Sequence, residues 1–137
     1  MLLACNNIAD KAGANEQTEN EHSHSTVLSL NNGAKWKTDS VTNHNVIRLK
    51  NTADMFRIKP SRSASTYQLL GSDLANDEDT VIQQCTMKGT NHQALHKWLE
   101  PILDQTNQLK NITDTAAARN IFDAVDKRID EYYQYFE

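Results

Sequence analysis

Residues 92–109, HQALHKWLEPILDQTNQL, carry the pattern that decides the fold of this chain. One face recurs every three or four residues and comprises His92, Leu95, Leu99, Ile102, Thr106 and Leu109. That spacing is typical of an amphipathic α-helix with one buried side. Pro101 lies inside the pattern, and because it removes one backbone hydrogen bond we expect a kink there. The segment therefore predicts a long helix, whose apolar face needs partners to cover it.

Three other segments show stripes with the same period, and they supply those partners. The first stripe comprises Val46, Leu49, Ala53 and Phe56; the second comprises Tyr67, Leu70, Leu74, Val81 and Cys85, with polar Asp77 in its gap; and the last comprises Ala118, Phe122, Val125, Ile129, Tyr132 and Phe136. Pro60 and Gly89 separate the first three helical segments. Four amphipathic helices with short connections predict an all-α, up-down-up-down four-helix bundle.

Polar residues before the stripes are candidates for helix caps, because their side chains can accept hydrogen bonds from unpaired backbone N–H groups. The candidates are Asp39, Ser40 or Thr42 for the first helix, Asn91 for the third and Thr113 for the fourth. The charged residues between positions 123 and 131 fall away from the last stripe and predict a solvated face.

Composition limits the class of protein. A chain of 137 residues with four glycines and two prolines suits one helical domain with a tail, since an all-β fold needs more turn residues. The net charge of −4, with acids and bases interspersed, argues against nucleic acid as a partner because phosphate binding needs clustered Lys and Arg. We find no Ser-His-Asp pattern and no phosphate loop in the sequence, so we do not expect an enzyme.

The amino-terminal motif Leu2-Leu3-Ala4-Cys5 resembles the lipobox of bacterial lipoproteins. The resemblance implies that residues 1–4 are the remnant of a signal peptide and that Cys5 carries the lipid. A lipid at Cys5 would anchor the protein to a membrane outside the cytoplasm, in the periplasm or at the outer membrane.

Two segments with different composition follow this motif. Residues 5–25 contain few apolar side chains, and such a composition predicts a disordered, lipidated tether. Residues 26–30, TVLSL, are short, apolar and β-branched, and they predict an extended strap lying on the domain. The helical bundle domain is therefore expected to cover residues 26–137.

Residues 85–96, CTMKGTNHQALH, contain the side chains with the most chemistry. Cys85, Met87, His92 and His96 are all ligand types for soft or borderline metals. His92 and His96 are four residues apart and share one helix face, and a helix N-terminus favours the neutral imidazole that binds metal. The set is soft enough for Cu(I), whereas Zn(II) would take the Cys and His ligands and leave Met87 out.

The bundle topology adds His44 to this set. The start of the first helix, the connection between the second and third, and the end of the fourth meet at one end of an up-down bundle. His44 lies at the first of these positions. The sequence therefore predicts a copper or zinc site formed by Cys85, His92 and His96, with Met87 and His44 as further candidate ligands.

Other interpretations of these residues stay open. Cys85 and Met87 can instead fill the core, and a histidine on an apolar face is usually a hydrogen-bonded core residue. The domain would then be a structural or protein-interaction module of the cell envelope, with a partner that the sequence does not identify. A third alternative is non-covalent haem binding, which Met87 or a histidine could ligate, by analogy with b-type cytochrome bundles.

A wider resemblance covers residues 31–137. The residues that carry it are Asn32-Gly33-Ala34-Lys35-Trp36, Cys85-Thr86-Met87-Lys88-Gly89 with His92, His96 and Trp98, and the aromatic end from Tyr132 to Phe136. In these residues the chain resembles a group of small bacterial lipoprotein-like domains of unknown function. The resemblance implies a secreted helical domain with no established activity.

Overall fold

A computed structural model describes residues 27–137, and this part of the chain forms an all-α bundle. The helices are α1 (Ser40–Arg57), α2 (Ala64–Gln84), α3 (Gly89–Lys110), α4 (Thr115–Asp130) and the single turn α5 (Tyr132–Tyr135). Each long helix packs on the next one along the chain, and α4 packs back on α1. The predicted four-helix bundle is confirmed. None of the helices in the described range is long and apolar enough to cross a membrane.

Several predictions concern residues outside the described range. These are the signal-peptide remnant at residues 1–4, lipidation of Cys5 and the tether at residues 5–25, which includes His22 and His24. They stay predictions.

The core is built from the four predicted stripes. The buried side chains include Val46, Leu49, Ala53, Phe56, Tyr67, Leu70, Leu74, Val81, Leu95, Leu99, Ile102, Leu109, Ala118, Phe122, Val125, Ile129, Tyr132 and Phe136. Pro101 lies inside α3, which continues through it to Lys110. Trp98, which the stripes did not include, is fully buried, and its Nε1 donates to the Arg128 carbonyl oxygen at 2.8 Å.

Gly71 lets α2 and α3 approach closely. A Cβ atom at this position would lie 2.8 Å from the backbone nitrogen of Lys110. Glycine lowers intrinsic helix stability by about 1 kcal/mol relative to alanine, but here the missing side chain makes room for the packed helices.

The segment before α1 is fastened to the carboxyl terminus. Leu28 is buried, and the Nε1 of half-buried Trp36 donates to the Ser29 carbonyl oxygen at 2.7 Å. The backbone of Trp36 exchanges hydrogen bonds with Tyr135 and Glu137, at 2.7 and 2.9 Å. These contacts dock residues 28–36 against the end of the bundle that holds α5.

The helix starts differ in part from the predicted caps. Asp39 caps α1, with its Oδ1 accepting from the Thr42 backbone N–H at 2.7 Å, as one of the three candidates predicted. The prediction of Asn91 as the cap of α3 is wrong, because α3 begins at Gly89, whose φ of +68° only glycine adopts without strain.

The prediction of Thr113 as the cap of α4 is also wrong. The carboxylate of Asp114 caps α4 by accepting from the first-turn N–H groups of Ala116 and Ala117.

The charged face of α4 is not only solvated, as the sequence predicted. Asp126 accepts two hydrogen bonds from the Arg57 guanidinium, at 2.8 and 2.6 Å, and so joins α4 to α1. Arg128 donates to the carbonyl oxygens of Lys97 and Trp98 at 2.8 and 3.1 Å, and so joins α4 to α3. Ion pairs and hydrogen bonds between helices therefore replace part of the expected solvated surface.

Candidate functional site

The start of α1, the α2–α3 connection and the carboxyl terminus meet at one end of the bundle. Asn45 Nδ2 donates to Gln84 Oε1 at 3.0 Å, joining α1 to α2. The Tyr132 hydroxyl donates to Asn43 Oδ1 at 2.6 Å, joining the end of the bundle to α1. Burial raises the pKa of Tyr132 to about 12, so its hydroxyl stays protonated and keeps donating at neutral pH. We call this end the site end.

Cys85, His92 and His96 form a connected row at the site end. Cys85 is a free thiol at the residue that directly follows α2, and its Sγ lies 3.6 Å from His92 Nδ1. On the other side of the same ring, His92 Nε2 lies 2.8 Å from His96 Nε2. The two rings meet edge to face, with their centroids 4.3 Å apart. The sequence placed these residues in one cluster, and the structure brings them into contact.

The row is not a three-way cluster around one point, because His92 uses opposite ring nitrogens for its two contacts. A neutral imidazole has one N–H donor and one acceptor nitrogen. If the Cys85 thiol donates to Nδ1, then Nε2–H of His92 donates to His96. If a metal replaces the thiol proton, the same His92 tautomer leaves Nδ1 available as a ligand.

The surroundings of His96 favour its neutral imidazole. Burial lowers the pKa of His96, and the neighbouring His92 lowers it further, with a smaller opposing effect from Glu100. A neutral imidazole can accept a hydrogen bond or bind a metal, whereas the protonated form can do neither through that nitrogen. Cys85 is half-buried and packs beside the core, which leaves Sγ shielded from bulk solvent but facing His92.

The other two candidate ligands lie apart from this row. Met87 is half-buried and packs against the hydrophobic core, and no described contact joins it to the row. His44 is exposed on α1, where it makes no hydrogen bond, ion pair or ring contact within residues 27–137. Their ligation stays a prediction.

Asp39 positions the chain beside Cys85, a role that the sequence did not reveal. One carboxylate oxygen caps α1, and the other accepts from the backbone N–H and the hydroxyl of Thr86, at 3.1 and 2.5 Å. Desolvation acts to raise the pKa of Asp39, but hydrogen bonds from Thr42 and Thr86 outweigh it and lower that pKa to about 2. The contact joins residues 47 positions apart, so sequence spacing held no signal for it.

Three aspartates of α1 and α4 form an acidic cluster that is close enough in geometry to hold a metal ion. Carboxylate oxygens of Asp54, Asp126 and Asp130 lie within 4.8 Å of one another. Arg57 contacts all three carboxylates, and Lys50 contacts two of them. Because these two cations already pair with all three carboxylates, we interpret the group as an ion-pair network between α1 and α4.

Similarity to known proteins adds no functional assignment. No protein-family model matches the chain, and no significant match was found among curated proteins or among solved structures.

Proposed function

We propose that this protein captures a copper or zinc ion at the site end of its bundle, with Cys85 and His92 as the central ligands. The observation that carries the proposal is the distance of 3.6 Å between Cys85 Sγ and His92 Nδ1. Tetrahedral Zn(II) with ordinary Zn–S and Zn–N bond lengths separates its sulfur and nitrogen ligands by about 3.6 Å. A metal could therefore bind between these atoms with little rearrangement.

His96 supports this pair from the far side of the His92 ring. A histidine that binds metal commonly uses its other nitrogen in a hydrogen bond that fixes the ring orientation and the tautomer. The contact of 2.8 Å between the two Nε2 atoms suits that role. His96 can also become a direct ligand if the His92 ring rotates, and the two roles predict losses of affinity of different size.

The remaining coordination positions leave the metal exchangeable. Two protein ligands do not complete the four-coordinate shell of a structural zinc site, so solvent, Met87 or a partner group must supply the others. An incomplete shell suits a protein that takes up and passes on a metal better than one that needs the metal to fold. Thiolate and thioether ligands favour Cu(I), and the thiolate with imidazole alone favours Zn(II).

The proposal includes attachment to a membrane outside the cytoplasm through lipid at Cys5. The motif Leu2-Leu3-Ala4-Cys5 supports it. In cells we expect the chain in the membrane fraction, and Cys5→Ala should move it to the soluble fraction. A Cys5→Ala chain that stays with the membrane would contradict lipid anchoring and leave the metal proposal intact.

The test of metal capture is a titration of the reduced full-length chain with Cu(I) and with Zn(II), with metal content read by mass spectrometry. Substitution of Cys5, His22 and His24 by alanine removes competing ligands outside the bundle. We expect one equivalent to bind, and Cys85→Ser or His92→Ala to abolish stoichiometric uptake. His96→Ala should weaken binding about 10- to 100-fold if His96 only orients His92.

Two outcomes would overturn metal capture. Absence of binding, with a Cys85 thiol that reacts only after unfolding, would make Cys85 a core residue and favour a structural or interaction module. A strong visible absorption band on reconstitution with haem, lost in His92→Ala, would favour haem binding instead.

A further inference from the structure

The end of the bundle opposite the site end contains a polar pocket. The α1–α2 connection, the first turn of α2 and the start of α4 enclose a volume of about 400 Å³. Its walls are formed by Lys59, Pro60, Arg62, Tyr67, Thr115 and Arg119. We call this the cationic pocket, because three of its six residues carry positive charge and none is acidic.

The positive charges of the cationic pocket have no carboxylate partners among residues 27–137. Lys59 and Arg119 form no ion pair with any residue in the described range of the chain. Arg62 is held without a carboxylate, donating to the Arg57 carbonyl oxygen at 2.6 Å and lying over the rings of Phe56 and Phe122. A guanidinium has five N–H donors, so Arg62 keeps donors for a further partner.

Tyr67 supplies a further hydrogen-bond donor to the cationic pocket. This residue is only 2 % exposed, and its ring packs on Phe56 with the centroids 5.1 Å apart. Its hydroxyl makes no hydrogen bond within residues 27–137, although the residue lines the pocket. The hydroxyl oxygen is not enclosed by protein atoms, so it opens into the pocket and can donate to a ligand there. An unpaired hydroxyl among three cations is suited to a negatively charged oxygen.

We propose that the cationic pocket binds an oxyanion of the phosphate class. Phosphate offers several acceptor oxygens and two negative charges, which match guanidinium donors from two sides and hydroxyl donors from Tyr67 and Thr115. The acidic residue directly before Thr115 is Asp114, whose carboxylate already accepts two backbone N–H groups as the cap of α4. This inference is independent of metal capture, because the pocket and the row of Cys85, His92 and His96 lie at opposite ends.

The phosphate group has two sources that fit the pocket equally well, a soluble phosphomonoester and a phospholipid headgroup. The pocket opens on an exposed surface, where Lys59, Pro60 and Arg119 are all exposed. A soluble anion would bind without a bilayer, whereas a headgroup would bind only when presented on a membrane surface.

The experiment uses the full chain carrying Cys5→Ala, so that a lipid at Cys5 does not bind vesicles. Calorimetric titrations with inorganic phosphate and glycerol phosphate form one arm. Co-sedimentation with phosphatidylglycerol vesicles, with phosphatidylcholine vesicles as reference, forms the other. We expect saturable binding in at least one arm that Arg119→Gln weakens about tenfold and Tyr67→Phe about fivefold. Lys35→Gln, which removes an exposed cation at the site end, is the matched control and should leave affinity unchanged.

The arms also decide the source of the phosphate. Binding of free phosphate without vesicles assigns a soluble anion, and binding to anionic vesicles alone assigns a headgroup, each provided that Arg119→Gln weakens it. The proposal is overturned if neither arm shows saturable binding, or if Lys35→Gln weakens binding as much as Arg119→Gln. Because Tyr67 belongs to the core, thermal unfolding of Tyr67→Phe is measured as well, and exposed Arg119 keeps the test decisive if that variant is unstable.

Discussion

The two candidate sites, at opposite ends of the bundle, differ in whether their polar side chains contact one another within the described residues. At the site end, Asp39, Thr86 and Tyr132 all have hydrogen-bond partners, and the imidazoles of the row contact one another. At the opposite end, the side chains of Lys59 and Arg119 and the hydroxyl of Tyr67 make no hydrogen bond or ion pair within the described residues. Satisfied groups hold chain segments together, whereas unsatisfied donors are available to a ligand. The side chains of the row are therefore already in contact with one another, whereas those of the cationic pocket have donors available for a ligand.

The largest expected effect is on the pH dependence of the unfolding free energy and concerns Glu78, which lies within α2 between the two ends. It is 1 % exposed, and Thr106 Oγ1 donates to its Oε1 at 2.6 Å. Burial raises the pKa of Glu78 from 4.5 to about 7, against a lowering by the Thr106 hydrogen bond. Because the folded-state pKa is the higher one, its contribution to stability is fully present below pH 4.5. That contribution is lost as the pH rises through about 7.

This shift corresponds to about 3 kcal/mol of unfolding free energy between pH 4 and pH 8. Glu78→Gln should therefore stabilise the chain at pH 8 and remove most of this pH dependence, as chemical denaturation at several pH values would show. Asp79→Asn, an exposed neighbour on the same helix, is the control and should change little. A pH dependence that persists in Glu78→Gln would contradict the assignment, while the comparison of the two ends would stand.

The second largest effect concerns Gly71, where α2 and α3, the helices that connect the two ends, pack closely. Gly71→Ala should destabilise the bundle by about 2 kcal/mol, because its Cβ would lie 2.8 Å from the Lys110 backbone nitrogen. Thermal unfolding measures the change, and Ser72→Ala on the exposed face is the control. A Gly71→Ala variant as stable as the parent would show that α2 and α3 can separate without cost.

Substitutions of Asp39 separate the effect of this residue on the free energy of unfolding from its effect on metal affinity. Asp39→Ala should cost about 1 kcal/mol of unfolding free energy, because α1 loses its cap. Asp39→Ser keeps a capping hydroxyl but loses the second oxygen that accepts from Thr86. We expect the serine variant to be nearly as stable as the parent and to bind metal more weakly. Equal metal affinity in the serine variant and the parent would show that the hydrogen bonds from Thr86 to Asp39 do not affect metal binding.

The smallest effects are expected for the two candidate ligands outside the row. Met87→Leu keeps an apolar side chain of similar volume, and His44→Ala removes an exposed ring without described contacts. Both should lower metal affinity less than substitution of Cys85 or His92 does, because neither side chain contacts the row. A large loss in either variant would add that residue to the metal site and extend the row toward α1 or the core.

Much of the fold was predictable because apolar periodicity is a local property of the sequence. Most residues of the four stripes are buried, although Cys85 and His92 are only half-buried and buried Trp98 was missed. Polar Asp77 in the gap of the second stripe is also buried, where it accepts a hydrogen bond from Thr52. The helix starts were less predictable. Asp114 and Thr113 are both good capping residues, and the choice depends on which backbone N–H groups each side chain reaches.

The candidate site was predictable only in part. Spacing placed His92 and His96 on one face and put Cys85 near them, because all three lie within one helix end and one short connection. The contacts of Asp39 with Thr86 and of Arg128 with α3 had no counterpart in the sequence, since they join distant segments. The cationic pocket was missed for the same reason, as Lys59 and Arg119 are 60 positions apart.

The sequence by itself therefore determined the helices, the bundle and the side chains able to carry chemistry, because helical period and residue type act over a few neighbouring positions. Only the tertiary structure decided which ring nitrogen of His92 faces Cys85, which carboxylate oxygen of Asp39 holds Thr86, and which donors stay unpaired. Those outcomes depend on distances of a few ångströms between segments far apart in the chain. Such distances are set by the packing of whole helices.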